Sequence, residues 1–180
     1  MRYASEDLMN EHEGILFGLR ILEEMVNRLK EKKGLEVDDV KGIVDFLKLF
    51  ADKCHHGKEE GLMFPAMEKA GIPKDRGPIG QMLLEHTEGR KYIADMSDSI
   101  NQEILHESHF IEAATSYINL LRTHIKKENT ILFPLGDKSM SMEVQSQLLD
   151  SFEGFEEEVM GKGAHEKLHE LLHKFEYKYL

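Results

Sequence analysis

His55-His56-Gly57-Lys58-Glu59-Glu60-Gly61-Leu62-Met63-Phe64-Pro65 and His124-Ile125-Lys126-Lys127-Glu128-Asn129-Thr130-Ile131-Leu132-Phe133-Pro134 share one pattern, H-x-x-K-E-x-x-[LI]-x-F-P. In each copy a histidine precedes a glutamate by four residues, about one helical turn, so both side chains leave the same face and reach a shared point. Two such faces turned toward each other supply two imidazoles and two carboxylates, a donor set for a dinuclear metal site. The repeat also selects a register. His56 and Glu60 are spaced as well as His55 and Glu59, but only the latter pair falls in step with His124 and Glu128.

Outward from these segments the chain reads as helices. Ser5 suits an N-cap with Glu6 and Asp7 in the first turn, and Leu8, His12, Ile15, Leu19, Leu22, Val26 and Leu29 follow in steps of four and three that make a bundle seam. Gly34 is the expected stop, since a glycine takes the left-handed conformation of a C-terminal cap without strain. A second helix is expected over residues 37–70, burying Val40, Val44, Leu47 and Ala51 and carrying His55, Glu59 and Leu62 on the same face, with Pro65 kinking or ending it.

Pro78 is placed at the first position of a third helix, whose seam runs Ile79, Met82, His86, Gly89, Ile93, Met96 and Ile100. A fourth begins between Glu103 and Ser108, carries Phe110, Ala113, Tyr117, Leu120, His124, Glu128 and Ile131, and closes at Pro134 and Gly136. No run alternates apolar and polar residues as a strand would. The expectation is an all-α fold: one domain over residues 1–180, with an up-down-up-down four-helix bundle in residues 5–136 and additional C-terminal helices in residues 141–180. In that extension Leu148, Leu149, Phe152 and Phe155 mark a short helix, and Gly161-Lys162-Gly163 a hinge. The final helix sets His165, His169 and His173 on one stripe, read as the polar edge of a packing face formed by Leu168, Leu172 and Phe175. The alternative reading folds the tail over the bundle mouth, where His165 or His169 would cap or gate the site.

Composition narrows the function. A formal net charge of −11 disfavours nucleic-acid binding, which needs a clustered basic surface to neutralise phosphates. A single cysteine, Cys54, excludes an internal disulfide framework and fits a reducing compartment. No N-terminal signal pattern and no membrane-spanning apolar run is seen, so the expected location is the cytoplasm, with no membrane partner.

His12, His55, His86 and His124 stand at or near the core stripe of each expected helix, with Glu59 and Glu128 one turn beyond two of them. Buried without partners, such groups are costly, and a metal is the simplest way to satisfy them together. Imidazole plus carboxylate suits iron, manganese or zinc and is poor for copper(I). Six side chains exceed the needs of one tetrahedral zinc, whereas two carboxylates can bridge a metal pair. Ferritin-like di-iron proteins use Glu-x-x-His, and the order and spacing here are different.

Asn10-Glu11-His12, the two H-x-x-K-E segments, and Gly77-Pro78-Ile79-Gly80 leading to Glu85-His86-Thr87-Glu88-Gly89-Arg90 together resemble the hemerythrin-like, or HHE, cation-binding family over roughly residues 5–136. The resemblance implies two non-haem iron ions in the bundle, with manganese or zinc as alternatives. His12, His55, His86 and His124 would be terminal ligands, and Glu59 and Glu128 bridges. The family's respiratory oxygen carriers hold five histidines in the bundle. Here His56, His106 and His109 read instead as residues of the surface or behind the ligands, with Glu85, Glu88 and Arg90 as partners around His86. The chain is also similar to the hemerythrin domain of di-iron proteins associated with iron-sulfur repair, without the cysteine-bearing N-terminal segment usual in them. The expected role is binding of a small diatomic ligand, oxygen or nitric oxide, for sensing, scavenging or delivery. Open coordination positions permit turnover too, so the alternatives are a di-iron enzyme (peroxidase, oxidase or nitric oxide reductase) and an iron-storage or iron-sensing module. An output-coupled sensor would need a separate protein partner.

Overall fold

The computed structural model describes residues 2–180. Four long rods form an up-down-up-down bundle: α1 (Ala4–Lys30); α2 (Val37–Phe46) running on into α3 (Phe64–Lys69); α4 (Pro78–Asp98); and α5 (Glu107–Lys127) running on into α6 (Phe133–Ser139). Two further helices, α7 (Met142–Met160) and α8 (Ala164–Tyr179), complete the chain and lie against the first two rods.

The second and fourth rods are not α-helical throughout. Leu47–His56, Glu59–Met63 and Glu128–Leu132 are wound as π-helix, the last two matching residue for residue across the repeat. In each, the residue before the proline donates its N–H five residues back, Phe64 to Glu59 and Phe133 to Glu128. Proline disrupts an α-helix because its ring collides with the carbonyl four residues earlier. Here those carbonyls belong to Gly61 and Thr130, both in wide π turns, so neither proline stops its rod. Pro65 therefore does not end the second rod, which runs to Lys69, close to the expected residue 70, and the expected close at Pro134 and Gly136 is passed, α6 extending to Ser139. Single π turns concentrate at functional positions, and these contain the two motif glutamates.

Other boundaries also shift. Tyr3, not Ser5, precedes α1, and the Ser5 hydroxyl donates to Asp137 at 2.7–2.8 Å, pinning α1 to α6. The first helix ends at Lys30 with Glu31 N–H on Asn27 O, before Gly34, which does take a left-handed φ of +72°. The third rod stops before Ile100, because the chain turns into a short antiparallel hairpin, β1 (Ile100–Asn101) with β2 (Ile104–Leu105). Two-residue strands are too short to show alternation in sequence.

The apolar interior is divided. One cluster gathers Ile15, Leu19, Leu22, Val44, Leu47, Ile93, Tyr117 and Leu121 with Phe175 of α8. The other gathers Leu8, Met63, Phe64, Met82, Leu132 and Phe133 with Phe152 of α7. Between them along every rod lies a buried polar layer: His12, then His55 and Glu59, then His86, then His124 and Glu128.

Candidate metal centre

The six residues expected from the repeat and the helix seams are brought together, each at most 1% exposed. With His56 they form two overlapping groups of donor atoms, His12, His55, Glu59 and Glu128 in one and His56, Glu59, His86 and His124 in the other. All donor atoms within a group lie within 4.8 Å of one another, a spacing that permits one ion at the middle of each. Glu59 is common to both groups. Glu128 Oε1 lies 3.2 Å from His124 Nε2 and its Oε2 3.2 Å from His12 Nε2, so this carboxylate also spans the two groups.

Each motif residue has a role in the layer, and the two halves of the chain exchange the same contacts. His55 Nδ1 lies 2.8 Å from the carboxylate of Glu11, which also accepts from Lys58 Nζ at 2.7 Å. His124 Nδ1 lies 3.2 Å from the carboxylate of Glu85, which also accepts from Lys127. Across the bundle, His12 Nδ1 lies 2.7 Å from Asn129 and His86 Nδ1 2.8 Å from Glu60, the residues that follow the two motif glutamates. The motif phenylalanines finish the pattern: Phe133 stacks on His12 at 5.6 Å and Phe64 on His86 at 5.9 Å. Every imidazole of the expected set thus has Nδ1 on an oxygen, an arrangement that fixes the tautomer and leaves Nε2 for a metal.

The electrostatics are those of a site built for cations. Burial opposes charge on His55, yet the Glu59 carboxylate and the Glu11 hydrogen bond push it up to about 10. Against the same burial, Glu128 and Glu85 push His124 up to about 9, and Glu59 and Glu60 raise His86. Glu59, despite full burial, is held well below the carboxylate range by His55 and His86. Lys58, 1% exposed, faces Glu11, Asp7 and Glu156, which hold it charged.

Whether a cation belongs here is tested by the atoms that protein groups do not satisfy. Both carboxylate oxygens of Glu59 and of Glu128, Nε2 of His12 and of His55, and both ring nitrogens of His56 are buried without a hydrogen-bond partner among the described residues. Several of these approach one another at 3.2–3.4 Å, but outside hydrogen-bond geometry. A buried unsatisfied polar atom costs about 1–3 kcal/mol, and such a concentration in one layer is what cations between the carboxylates and imidazoles would relieve. The donor set therefore fits a pair of divalent ions of the iron, manganese or zinc type.

Of the two places expected for His56, the surface or behind the ligands, the structure gives the interior one: it is 3% exposed, its ring stacked on His86 at 3.9 Å and 16°. Glu88 faces solvent and bonds Tyr92, while Glu85 serves His124 across the helix pair rather than His86 beside it. The tail packs as expected, with Leu172 and Phe175 buried, and the alternative in which it caps the centre does not hold: His165 pairs with Glu156 at 2.8 Å and meets Phe50 edge-on, and neither His165 nor His169 belongs to a donor group. His106 and His109 are exposed, as expected. The interior place of His56 had a signal in the sequence, because it has its own His-x-x-x-Glu spacing to Glu60, which the repeat register set aside.

Comparison with known proteins bears on the same residues. A family model described as the Hemerythrin HHE cation binding domain matches residues 3–136. Uncharacterized proteins of Mycobacterium bovis and Mycobacterium tuberculosis are 24% identical over 163 residues, which is 88% of this chain and 63% of theirs. The chain thus spans about 63% of the length of the curated relatives it matches. No solved structure matches it. No helix among the described residues is long and apolar enough to cross a membrane.

Proposed function

The chain belongs to the hemerythrin HHE cation-binding domain family, and from that premise we propose that it is a non-haem di-iron protein that binds a diatomic ligand, oxygen or nitric oxide, for sensing, scavenging or delivery. One observation supports the reading: two buried donor groups share Glu59, so a single carboxylate is within reach of both and could serve two ions. His12, His55, Glu59 and Glu128 would hold one ion, and His86, His124 and the same two carboxylates the other. When bound, a ferrous pair supplies electrons to, and a binding position for, a small electrophilic ligand.

The protein's own part is positioning and exclusion. Glu11, Glu85 and Glu60 hold the Nδ1 protons of His55, His124 and His86, and Asn129 does the same for His12. The flanking apolar clusters, with Phe64 and Phe133 against two of the rings, keep bulk water from the layer. Only a small ligand is compatible with such a closed interior.

Anaerobically reduced, iron-loaded protein mixed in stopped flow with oxygen, nitric oxide and hydrogen peroxide tests the proposal. A saturable adduct with oxygen or nitric oxide that persists and reverses is expected. Steady multiple turnover would make the protein an enzyme instead, and iron-dependent stability with neither response would make it a storage or iron-sensing module.

A further inference from the structure

The two motif segments differ in the residue before the lysine: Gly57 stands in the first where Lys126 stands in the second. Lys126 is exposed, whereas Gly57 lies under α7, and a Cβ there would stand 2.8 Å from Phe155 Cζ. The missing side chain lets α7 approach closely enough to close over the neighbouring lysine. Lys58 is 1% exposed, with its Nζ 5.5 Å from the centre of the Phe152 ring and donating to Glu156 at 3.0 Å. Its counterpart Lys127 is 32% exposed and meets one carboxylate, that of Glu85, among the described residues.

Glu156 is the outermost member of a connected row. Lys58 Nζ donates to Glu156 Oε2 at 3.0 Å, to Asp7 Oδ2 at 3.3 Å and to Glu11 Oε1 at 2.7 Å, and Glu11 Oε2 lies 2.8 Å from His55 Nδ1. Carboxylate oxygens of Glu11 and Glu156 and the Cys54 thiol lie within 4.8 Å of one another, so the two acids converge on one point, and the Lys58 ammonium fills it. A lysine ends in a compact charge on a flexible stem, so its place is set by what surrounds it. Glu11 draws Nζ inward, while Asp7, Glu156 and the Phe152 ring fix it from outside. With Lys58 held on Oε1, Glu11 keeps Oε2 turned to the imidazole.

We infer that Glu156 is a positioning residue for His55: from α7, outside the four rods, it fixes Lys58, and through Lys58 and Glu11 the orientation of an imidazole of the centre. The inference rests on the metal-binding reading above and carries it beyond the bundle. The C-terminal extension is then part of the centre's support as well as a cover for the apolar cluster around Phe152.

The test uses the full-length chain and compares wild type, Glu156→Met, Glu156→Gln and the control Glu157→Gln, whose exposed side chain pairs with Lys162. Nitrogen-15 NMR of the metal-free protein reads the Nδ1 proton of His55, and competition with a colorimetric Fe(II) chelator reads the loaded centre. Glu156→Met is expected to shift and broaden that proton and to weaken iron binding about three- to tenfold, less than the 10–100-fold of losing the carboxylate that touches the imidazole. Glu156→Gln still accepts from Lys58 and should lie between Glu156→Met and wild type, and Glu157→Gln should match wild type. In a Glu11→Gln background the effect of Glu156→Met should disappear, because the row is already cut. A Glu156→Met protein that melts lower but keeps the proton signal and iron affinity of wild type would show that α7 only packs, and the inference would be overturned. An effect that persists undiminished without the Glu11 carboxylate would overturn it too. Wild type that holds no iron would instead overturn the reading of the centre, and the His55 proton alone would then decide the role of Glu156.

Discussion

Glu11 and Lys58 meet 2.7 Å apart inside the bundle, and the same carboxylate holds Nδ1 of His55 at 2.8 Å. The lysine of the repeated motif therefore anchors the acid that orients the motif's own histidine, and Lys127 does so through Glu85 for His124. A His-x-x-Lys spacing places the two side chains on one face, where a single carboxylate from the neighbouring helix reaches both.

Glu11→Gln is expected to weaken metal binding by about 10–100-fold, the usual effect of removing a carboxylate behind a metal-ligating histidine. Glu85→Gln should do the same, whereas Glu88→Gln, whose exposed side chain accepts from Tyr92 away from the polar layer, should have no effect. Chelator competition measures all three. Equal affinities for wild type and Glu11→Gln would refute the orienting role.

Removing the metal should lower the melting temperature, because the orphaned nitrogens and carboxylate oxygens of the polar layer lose their partner. At metal concentrations about 100-fold above the dissociation constant, one site contributes roughly 2.7 kcal/mol, or about 5–10 °C for a domain of this size. Scanning calorimetry of apo and reloaded protein checks this, and coincident transitions would contradict it.

Much of this layer was legible in the sequence because donor groups that converge on one layer impose spacing: His55, Glu59, His124 and Glu128 of the two H-x-x-K-E segments and the seam histidines His12 and His86 are all inward. The supports were less so. Glu11 and Glu85 directly precede seam histidines, yet they serve His55 and His124 on other rods, a pairing that depends on how helices cross. The two short π turns escaped because each precedes a proline, which reads in sequence as a break rather than as a reason to widen the turn, and Leu47–His56 carries no such mark. His56 escaped because the register argument allows one inward histidine per turn, while a wide π-helical segment turns both His55 and His56 inward.

Gly18→Ala should destabilise the bundle by about 1–3 kcal/mol, since a Cβ there would stand 2.5 Å from Phe46 Cε1 in a filled core. Gly154→Ala, in α7 with nothing within 4 Å of the added carbon, should raise stability by roughly 0.5–1 kcal/mol through helix propensity. Urea unfolding of the two variants gives both signs, and a stable Gly18→Ala would show that Phe46 yields at no cost.

The docking of α8 should depend on pH through Asp39, which accepts from Lys178 and from Tyr179 at 2.5 Å each. Burial opposes its ionisation, but these two partners hold its carboxyl below the usual 3.8. A lowered carboxyl stabilises the fold above its unfolded value and loses that contribution as pH falls through the folded one. The stability gap between wild type and Asp39→Asn should thus be constant above about pH 5 and close below 3.8. Hydrogen exchange of residues 164–180 reads the gap locally. A gap that widens in acid would reverse the sign and dismiss the mechanism.

Deleting residues 164–180 should lower stability by uncovering the contacts of Leu172 and Phe175, while leaving two ions bound and ligand-binding rates unchanged. Faster binding of oxygen or azide after truncation would restore a gating role to a tail whose His165 is engaged by Glu156.

The contact-for-contact match of the halves has a further consequence. One helical hairpin, with Glu-His on its first arm and His-x-x-Lys-Glu on its second, carries the instructions for the whole centre, and two copies about an axis would assemble it as a homodimer. Such a dimer is condemned to equal ends, because any change in one copy is a change in both. A single chain is free of that constraint, and its two ends do differ: Arg90 ties Asp52 to Glu60 beside His56 in one half, where the other half has Leu16, Leu121, Asn129 and Ile125.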